Sequence, residues 1–165
     1  VYQLPELWAA QTAAMRLIPE SGMVVTNDVG NAENIHPRDK TPVGNRLALW
    51  ALHGTYGHKD LVHTGPLVSR VTREGNVLRI SFDHTGGGLA SRDGQPLTWF
   101  EVAGMDKAFV PATATIDGTS LVVGAAQVPK PQWVRFAWHE IAQPNLMNAE
   151  GFPSNSFKRK CDEAR

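Results

Sequence analysis

His36 sits in the polar run Glu33-Asn34-Ile35-His36-Pro37-Arg38-Asp39-Lys40, between a short apolar stretch, Met23-Val24-Val25-Thr26, and a helical pattern beginning near Thr41. An imidazole on a loop between a strand and a helix can move protons at neutral pH. As a general base it would take the proton of an attacking hydroxyl and return it to a leaving group. Such a ring needs an acceptor on its other nitrogen to fix its orientation. Glu33 lies three residues upstream, Asn34 two, Asp28 eight, and Asp39 three downstream. A carboxylate at minus three on the same loop can reach the ring that follows it. The competing reading of this spacing is a structural, hydrogen-bonding histidine. In that reading Glu33 is a solvated carboxylate and Asp28 an acceptor that braces loop amides.

No other group of residues carries as much chemistry. His53, His58 and His63 recur every five residues, which matches neither a helix face nor a strand face. No cysteine pair supports them as a zinc set, so no metal is expected. Gly86-Gly87-Gly88 lacks the lysine and hydroxyl residue that complete a phosphate-cradling loop. Cys161, the single cysteine, rules out an internal disulfide and reads as a spare thiol. Trp99, Trp133 and Trp138 could stack on a sugar ring, but aromatic residues in strands usually pack, and Trp99 and Trp138 read as core.

These residues need a scaffold. The chain has 165 residues, 42% of them hydrophobic, which suffices for one or two cores and is too apolar for disorder. Sixteen basic residues balance sixteen acidic ones. Zero net charge argues against nucleic acid or an anionic membrane as the main partner. No apolar run approaches the roughly 20 residues of a membrane span. Lys158-Arg159-Lys160 reads as a solvated tail. Val1 stands directly before a helix with no leader pattern, so the chain reads as a piece of something longer.

Leu4, Leu7, Trp8, Gln11, Met15 and Ile18 fall at helical spacing, and four alanines favour the same state. Pro5 suits a first turn and Ile18-Pro19 a stop, which predicts a helix over 5–18 with Trp8 and Met15 in the core. Gly22 to Thr26 predicts a short buried strand. The next helix begins between Arg38 and Pro42 and carries Val43, Leu47, Trp50 and Ala51 on one stripe. Beyond Gly65-Pro66 the period becomes two. Strands are expected over 67–72, 77–82, 98–103, 113–116, 121–123 and 133–138, separated by glycine and proline turns. The segment from Asn145 to Arg165 shows little periodicity and is expected to wrap over a neighbouring surface.

The run Thr26-Asn27-Asp28-Val29-Gly30, followed by Asn34-Ile35-His36-Pro37-Arg38-Asp39-Lys40-Thr41-Pro42-Val43-Gly44-Asn45-Arg46-Leu47-Ala48, closely resembles the last motif of the sialate O-acetylesterase family. Gly65-Pro66-Leu67, Phe100-Glu101-Val102-Ala103-Gly104, Pro111-Ala112-Thr113-Ala114, Val134-Arg135-Phe136-Ala137-Trp138 and Asn145-Leu146-Met147-Asn148-Ala149-Glu150-Gly151-Phe152-Pro153-Ser154-Asn155-Ser156-Phe157 continue the resemblance. It covers nearly the whole chain, in order.

The resemblance implies an α/β plus all-β chain. Residues 1–64 would be the carboxy-terminal segment of an SGNH-type, flavodoxin-like α/β/α esterase domain. Residues 65–165 would be a β-sandwich or jelly-roll-like domain with a wrapping tail. The implied activity is removal of acetyl esters from carbohydrates through a serine acyl-enzyme, with no cofactor. His36 corresponds to the catalytic histidine. The family's nucleophilic serine and oxyanion donors belong to earlier blocks, and none of the serines here stands in their glycine-rich context. The implied partners are an acetylated carbohydrate and the amino-terminal part of the same catalytic domain. An isolated copy of this chain is therefore expected to lack esterase activity. The family often has Asp directly before Ile-His-Pro, and this chain has Asn34. The acid is then Glu33, or Asp28, or absent from a Ser–His dyad. Exported polysaccharide-degrading relatives suggest a periplasmic or extracellular location. The rival function is a non-catalytic carbohydrate-binding or interaction module formed by the β-rich part.

Overall fold

The computed structural model describes residues 3–31, 33–34 and 36–162. Val1, Ile35 of the His36 run and the last residues of the tail lie outside them. Two helices, α1 (Gln3–Ala14) and α2 (Thr41–Gly54), precede ten strands. These are β1 (Leu67–Glu74), β2 (Val77–Asp83), β3 (Leu89–Ser91), β4 (Phe100–Ala103), β5 (Val110–Pro111), β6 (Thr113–Asp117), β7 (Ser120–Gly124), β8 (Trp133–Phe136), β9 (Leu146–Asn148) and β10 (Phe157–Lys160). Helix therefore comes first and antiparallel sheet second, an α+β arrangement.

One four-stranded sheet runs β1-β2-β7-β6, a second runs β10-β8-β4-β5, and β3 pairs with β9. The period-two pattern explains how the first two meet. Leu78, Ile80 and Phe82 of β2 and Leu121 and Val123 of β7 turn to one side of their sheet and are buried. Phe100 and Val102 of β4, Val134 and Phe136 of β8 and Phe157 of β10 supply the opposing wall of the same core. Each such large apolar side chain contributes about 1.5–3 kcal/mol by leaving water. On the outer face Arg79 bridges Glu74 and Asp117 at 2.7 Å each, and the Arg135 guanidinium grips Glu101 through both oxygens. Gly75 and Gly118 stand first in two-residue hairpin loops with φ of 63° and 61°, the geometry a type II′ turn demands.

Three expectations are corrected. The first helix ends at Ala14 rather than Ile18, because Arg16 and Leu17 bond back to Ala13 and Ala14 in a tightening turn. Gly22 to Thr26 is not a strand: among the described residues no strand lies beside it, and the Val25 carbonyl accepts from the Arg46 guanidinium. Lys158-Arg159-Lys160 is not a solvated tail but the body of β10, paired with β8. Charged side chains are a normal feature of an edge strand, whose hydrogen bonds do not need apolar residues. The stretch from Asn145 also holds β9, and its buried residues are largely polar, which hides its order from a hydrophobicity scan. Asn145 Nδ2 donates to Ser91, Asp93 and the Pro96 carbonyl, while its Oδ1 accepts from the Thr98 amide. These contacts hold the Asp93 carboxyl down at about 2, with Asn145 as the largest cause, then Ser91 and the Gln95 amide.

The same segment joins the sheets to residues 3–64. Asn148 Nδ2 donates to the Thr64 carbonyl at 3.1 Å and the Ser154 hydroxyl to the Pro66 carbonyl at 2.9 Å. Asn155 donates to Thr12 of α1. Beside this joint, His63 is buried between Trp50 and His53 of α2 and His84 at the end of β2. Its ring stacks on His53 at 3.8 Å. Burial holds His63 below the ordinary histidine value of 6.5, and repulsion from His53, His84 and Lys59 adds to the effect. Above that value the ring is neutral in both folded and unfolded chains. As pH falls, the unfolded chain takes the proton first, so stability is lost from 6.5 downward to the lowered folded value. Thermal unfolding followed from about pH 7.5 to about pH 5 should therefore show a steeper loss for the natural chain than for His63→Phe, which keeps a ring without the charge. Parallel curves would show that His63 does not contribute.

Candidate active site

The loop carrying His36 is fixed at its root by one buried guanidinium. Arg46 lies on the inner side of α2 and is 9% exposed. Its Nη1 donates to the Val25 carbonyl at 2.6 Å and to Asp28 Oδ1 at 2.8 Å, and its Nη2 donates to Asp28 Oδ2 at 2.6 Å. A forked donor facing a carboxylate is the strongest geometry such a pair adopts. Asn27 ties the same turn to the sheets by donating to the Ser154 carbonyl at 3.0 Å. Trp50, one turn further along α2, lies over Gly22, where an added Cβ would meet the indole at 2.6 Å.

From Asn31 onward the loop is shaped by its own side chains. Asn31 Oδ1 accepts from the Glu33 amide, Asn34 Oδ1 from the His36 amide, and Asp39 Oδ1 from the Thr41 amide that opens α2. Each closes a local turn in which a short polar side chain replaces a backbone acceptor. The bond to the Thr41 amide also holds the Asp39 carboxyl below its usual value. Asn34 thus spends its oxygen on the backbone of His36. A carboxylate is not needed for that bond, which gives a physical reason for Asn where the resembling family often has Asp.

His36 and Glu33 are both exposed, and among the described residues the His36 imidazole makes no hydrogen bond. Asp28 is brought to Arg46, and Glu33 is left on the same loop as His36. The serines serve other ends: Ser154 bonds Pro66, Ser91 bonds Asp93 and Gln95, Ser120 bonds Asp117, and Ser21 bonds Ile18. Among the described residues none is hydrogen-bonded to His36, and no three histidine, cysteine or carboxylate groups converge as metal ligands. His53 and His63 stack face to face, while His58 is exposed.

A cleft of about 570 Å³ opens beside the loop root. Trp8 and Thr12 of α1, residues Met23 to Asp28, Asn31, Arg92 and Glu140 to Gln143 line it. The residue that spacing around His36 does not disclose is Arg46. Its signal lies in the helical stripe, where it stands three residues after Val43 and four before Trp50. An arginine on the inward side of a helix needs a carboxylate, and Asp28 is the upstream candidate.

No family model and no curated protein matches the chain. Among solved structures, it is similar to the crystal structure of a carbohydrate acetylesterase from Xanthomonas citri, at 37% identity and a TM-score of 0.85. The chain is related to a carbohydrate esterase. The match covers 90% of this chain and 34% of the other, so these residues span about a third of that protein's length.

The Arg46–Asp28 pair gives a direct test of how the loop is held. Arg46→Met keeps the apolar stem and strands the Asp28 carboxylate, so unfolding by urea should show a loss of about 3–5 kcal/mol. A loss below about 1 kcal/mol would mean that the pair behaves like a surface ion pair.

Proposed function

We propose that this chain is the carboxy-terminal portion of a serine carbohydrate O-acetylesterase of the sialate O-acetylesterase kind, and that His36 is its catalytic histidine. The observation that carries this is the likeness to a carbohydrate acetylesterase over 90% of the chain, with His36 on the loop that leaves the cleft. Residues 3–64 supply further support. Among the described residues there, only Pro5, Arg46, His63 and Thr64 are buried, while Leu7, Leu17, Ile18 and Leu47 are each at least half exposed. The backbone from Met23 to Thr26 has no neighbouring strand among the described residues, and the Trp50 indole N–H and Asn27 Oδ1 are buried without partners. A flavodoxin-like α/β/α layer, completed by a preceding part of the catalytic domain, would cover that apolar surface.

In this reading a serine from that preceding part attacks the acetyl carbonyl. His36 accepts the serine proton as the tetrahedral intermediate forms, then donates it to the sugar oxygen as the ester breaks. Water enters, gives a proton to His36 and attacks the acyl-enzyme, and serine recovers the proton as acetate departs. Glu33 is the acid that orients and charge-balances the imidazole, because Asp28 is committed to Arg46. Asp28 acts one step back, by holding the loop root. The chemistry needs no metal or organic cofactor. A periplasmic or extracellular site of action would suit an enzyme for acetylated polysaccharides.

In the complete protein, His36→Ala should lower kcat on 4-nitrophenyl acetate by roughly 10²–10⁴-fold. Glu33→Gln should lower kcat less and leave KM in place. Activity of His36→Ala close to that of the natural protein would remove His36 from the mechanism.

A further inference from the structure

The three tryptophans considered as sugar platforms do not share one fate. Trp138 is 4% exposed, with Lys158 Nζ 4.9 Å from its ring centre. Trp133 is partly buried in β8, with Lys107 Nζ 4.9 Å from its ring centre. Trp99 is different: it is 40% exposed, against its expected place in the core. It also has a φ of 63°. A bulky residue gains nothing locally from that left-handed backbone and is held there by its surroundings. The Trp99 carbonyl accepts from the amide of Ala137, itself at a φ of 49°, just beyond the last paired residues of β4 and β8. On its other side, the Thr98 amide is fixed by the buried Asn145 side chain. The sheet ends and the Asn145 knot together set the indole at the edge of the sandwich.

A second ring completes the surface. His139 lies 6.0 Å from Trp99, tilted by 32°. The Ile141 amide donates to His139 Nδ1 at 3.3 Å, which leaves Nε2 as the ring nitrogen that can donate to a ligand. The next four residues, Glu140 to Gln143, line the cleft, as do Met23 to Asp28 at the root of the His36 loop. Ile141 is 60% exposed there. An exposed apolar ring face, a neighbouring N–H donor and polar side chains at a cleft mouth form the mixed surface that suits a sugar, with its apolar C–H face and polar rim.

We infer that Trp99 and His139 form a carbohydrate-binding subsite, which holds a pyranose ring of the substrate against the cleft. This rests on the acetylesterase reading for the identity of the substrate, and on the ring geometry for the place. The subsite recognises the sugar, not the acetyl group, and so separates carbohydrate esters from simple acetates. Trp99 is a binding residue with no part in proton transfer.

Trp99→Gly tests this without endangering the fold, because glycine accepts a positive φ freely. In the complete protein, kcat/KM should fall about tenfold for glucose pentaacetate, the scale of one aromatic contact, and stay unchanged for 4-nitrophenyl acetate. Trp99→Phe should recover most of the loss, and His139→Ala should show a smaller loss on the sugar ester alone. Saturation-transfer NMR on the His36→Ala protein supplies a readout independent of turnover. Saturation of the pentaacetate ring protons should be seen, and should vanish when Trp99→Gly is added. Unchanged kinetics with undiminished saturation transfer would overturn the subsite while leaving the esterase reading intact. An equal loss on both acetates would also overturn it, since that marks a general disturbance. If the natural protein cleaves neither acetate but saturation transfer still depends on Trp99, the esterase reading fails and the subsite stands.

Discussion

The Arg46 guanidinium is the contact on which the geometry of the His36 loop depends. It joins α2 to the Val25 carbonyl and the Asp28 carboxylate, and both side chains of the ion pair are 11% exposed. A buried charge without its partner is costly, so the loop root cannot drift from the helix without uncovering one. That converts a segment with no neighbouring strand among the described residues into a fixed platform. The turns at Asn31, Asn34 and Asp39 then carry the chain from this platform to α2 in short, self-bonded steps. The pair also holds Asp28 at the loop root, with both carboxylate oxygens on the guanidinium.

Packing is distributed unevenly along the chain. The apolar core belongs to the two four-stranded sheets, while the described residues before Leu67 bury only Pro5, Arg46 and the joint at 63–66. What couples the two regions is mainly polar. Asn27 to Ser154, Asn155 to Thr12 and Asn148 to Thr64 are side-chain bonds made across more than 80 residues of sequence. Hydrogen bonds of this kind, buried or partly buried, add modest net stability but penalise any alternative that leaves them unmade. They therefore fix where the helices and the His36 loop sit against the sheets more than they add to cohesion. His63, packed among Trp50, His53 and His84, adds a neutral aromatic seam to the same joint.

Alternation makes the sheets legible. β2 and β8 can be read directly because each alternate residue is a large apolar group that turns inward. The same rule fails where the buried side chains are polar. β9 and the residues around Asn145, Asn148 and Ser154 carry no hydrophobic period, since their burial is offset by hydrogen bonds rather than by transfer from water. β10 is hidden for the opposite reason: its side chains are mostly solvated while its backbone is paired. Gly22 to Thr26 has the composition of a buried strand, but strand formation needs a neighbour that composition cannot supply. At the site, His36 is visible from its loop and its flanking motif. Arg46 stands in the same motif without a signal of its own, since the decisive fact is its burial opposite Asp28.

The two regions meet at the cleft with different kinds of order. On one side the His36 loop is exposed and held by local turns, which leaves its imidazole without a fixed partner among the described residues. In the sheet region Trp99 and Ala137 keep left-handed backbones, held by strand pairing and the Asn145 knot. Strain of that kind persists only where the surrounding structure over-determines it. In the proposed esterase, a rigid surface for a sugar and an exposed loop for a proton carrier would be complementary demands on one site. Recognition gains from preorganisation, because a ring already in place loses little freedom when a ligand arrives. In the proposed mechanism the imidazole would serve a nucleophile and then a leaving group, so its final geometry would be set only when both are present.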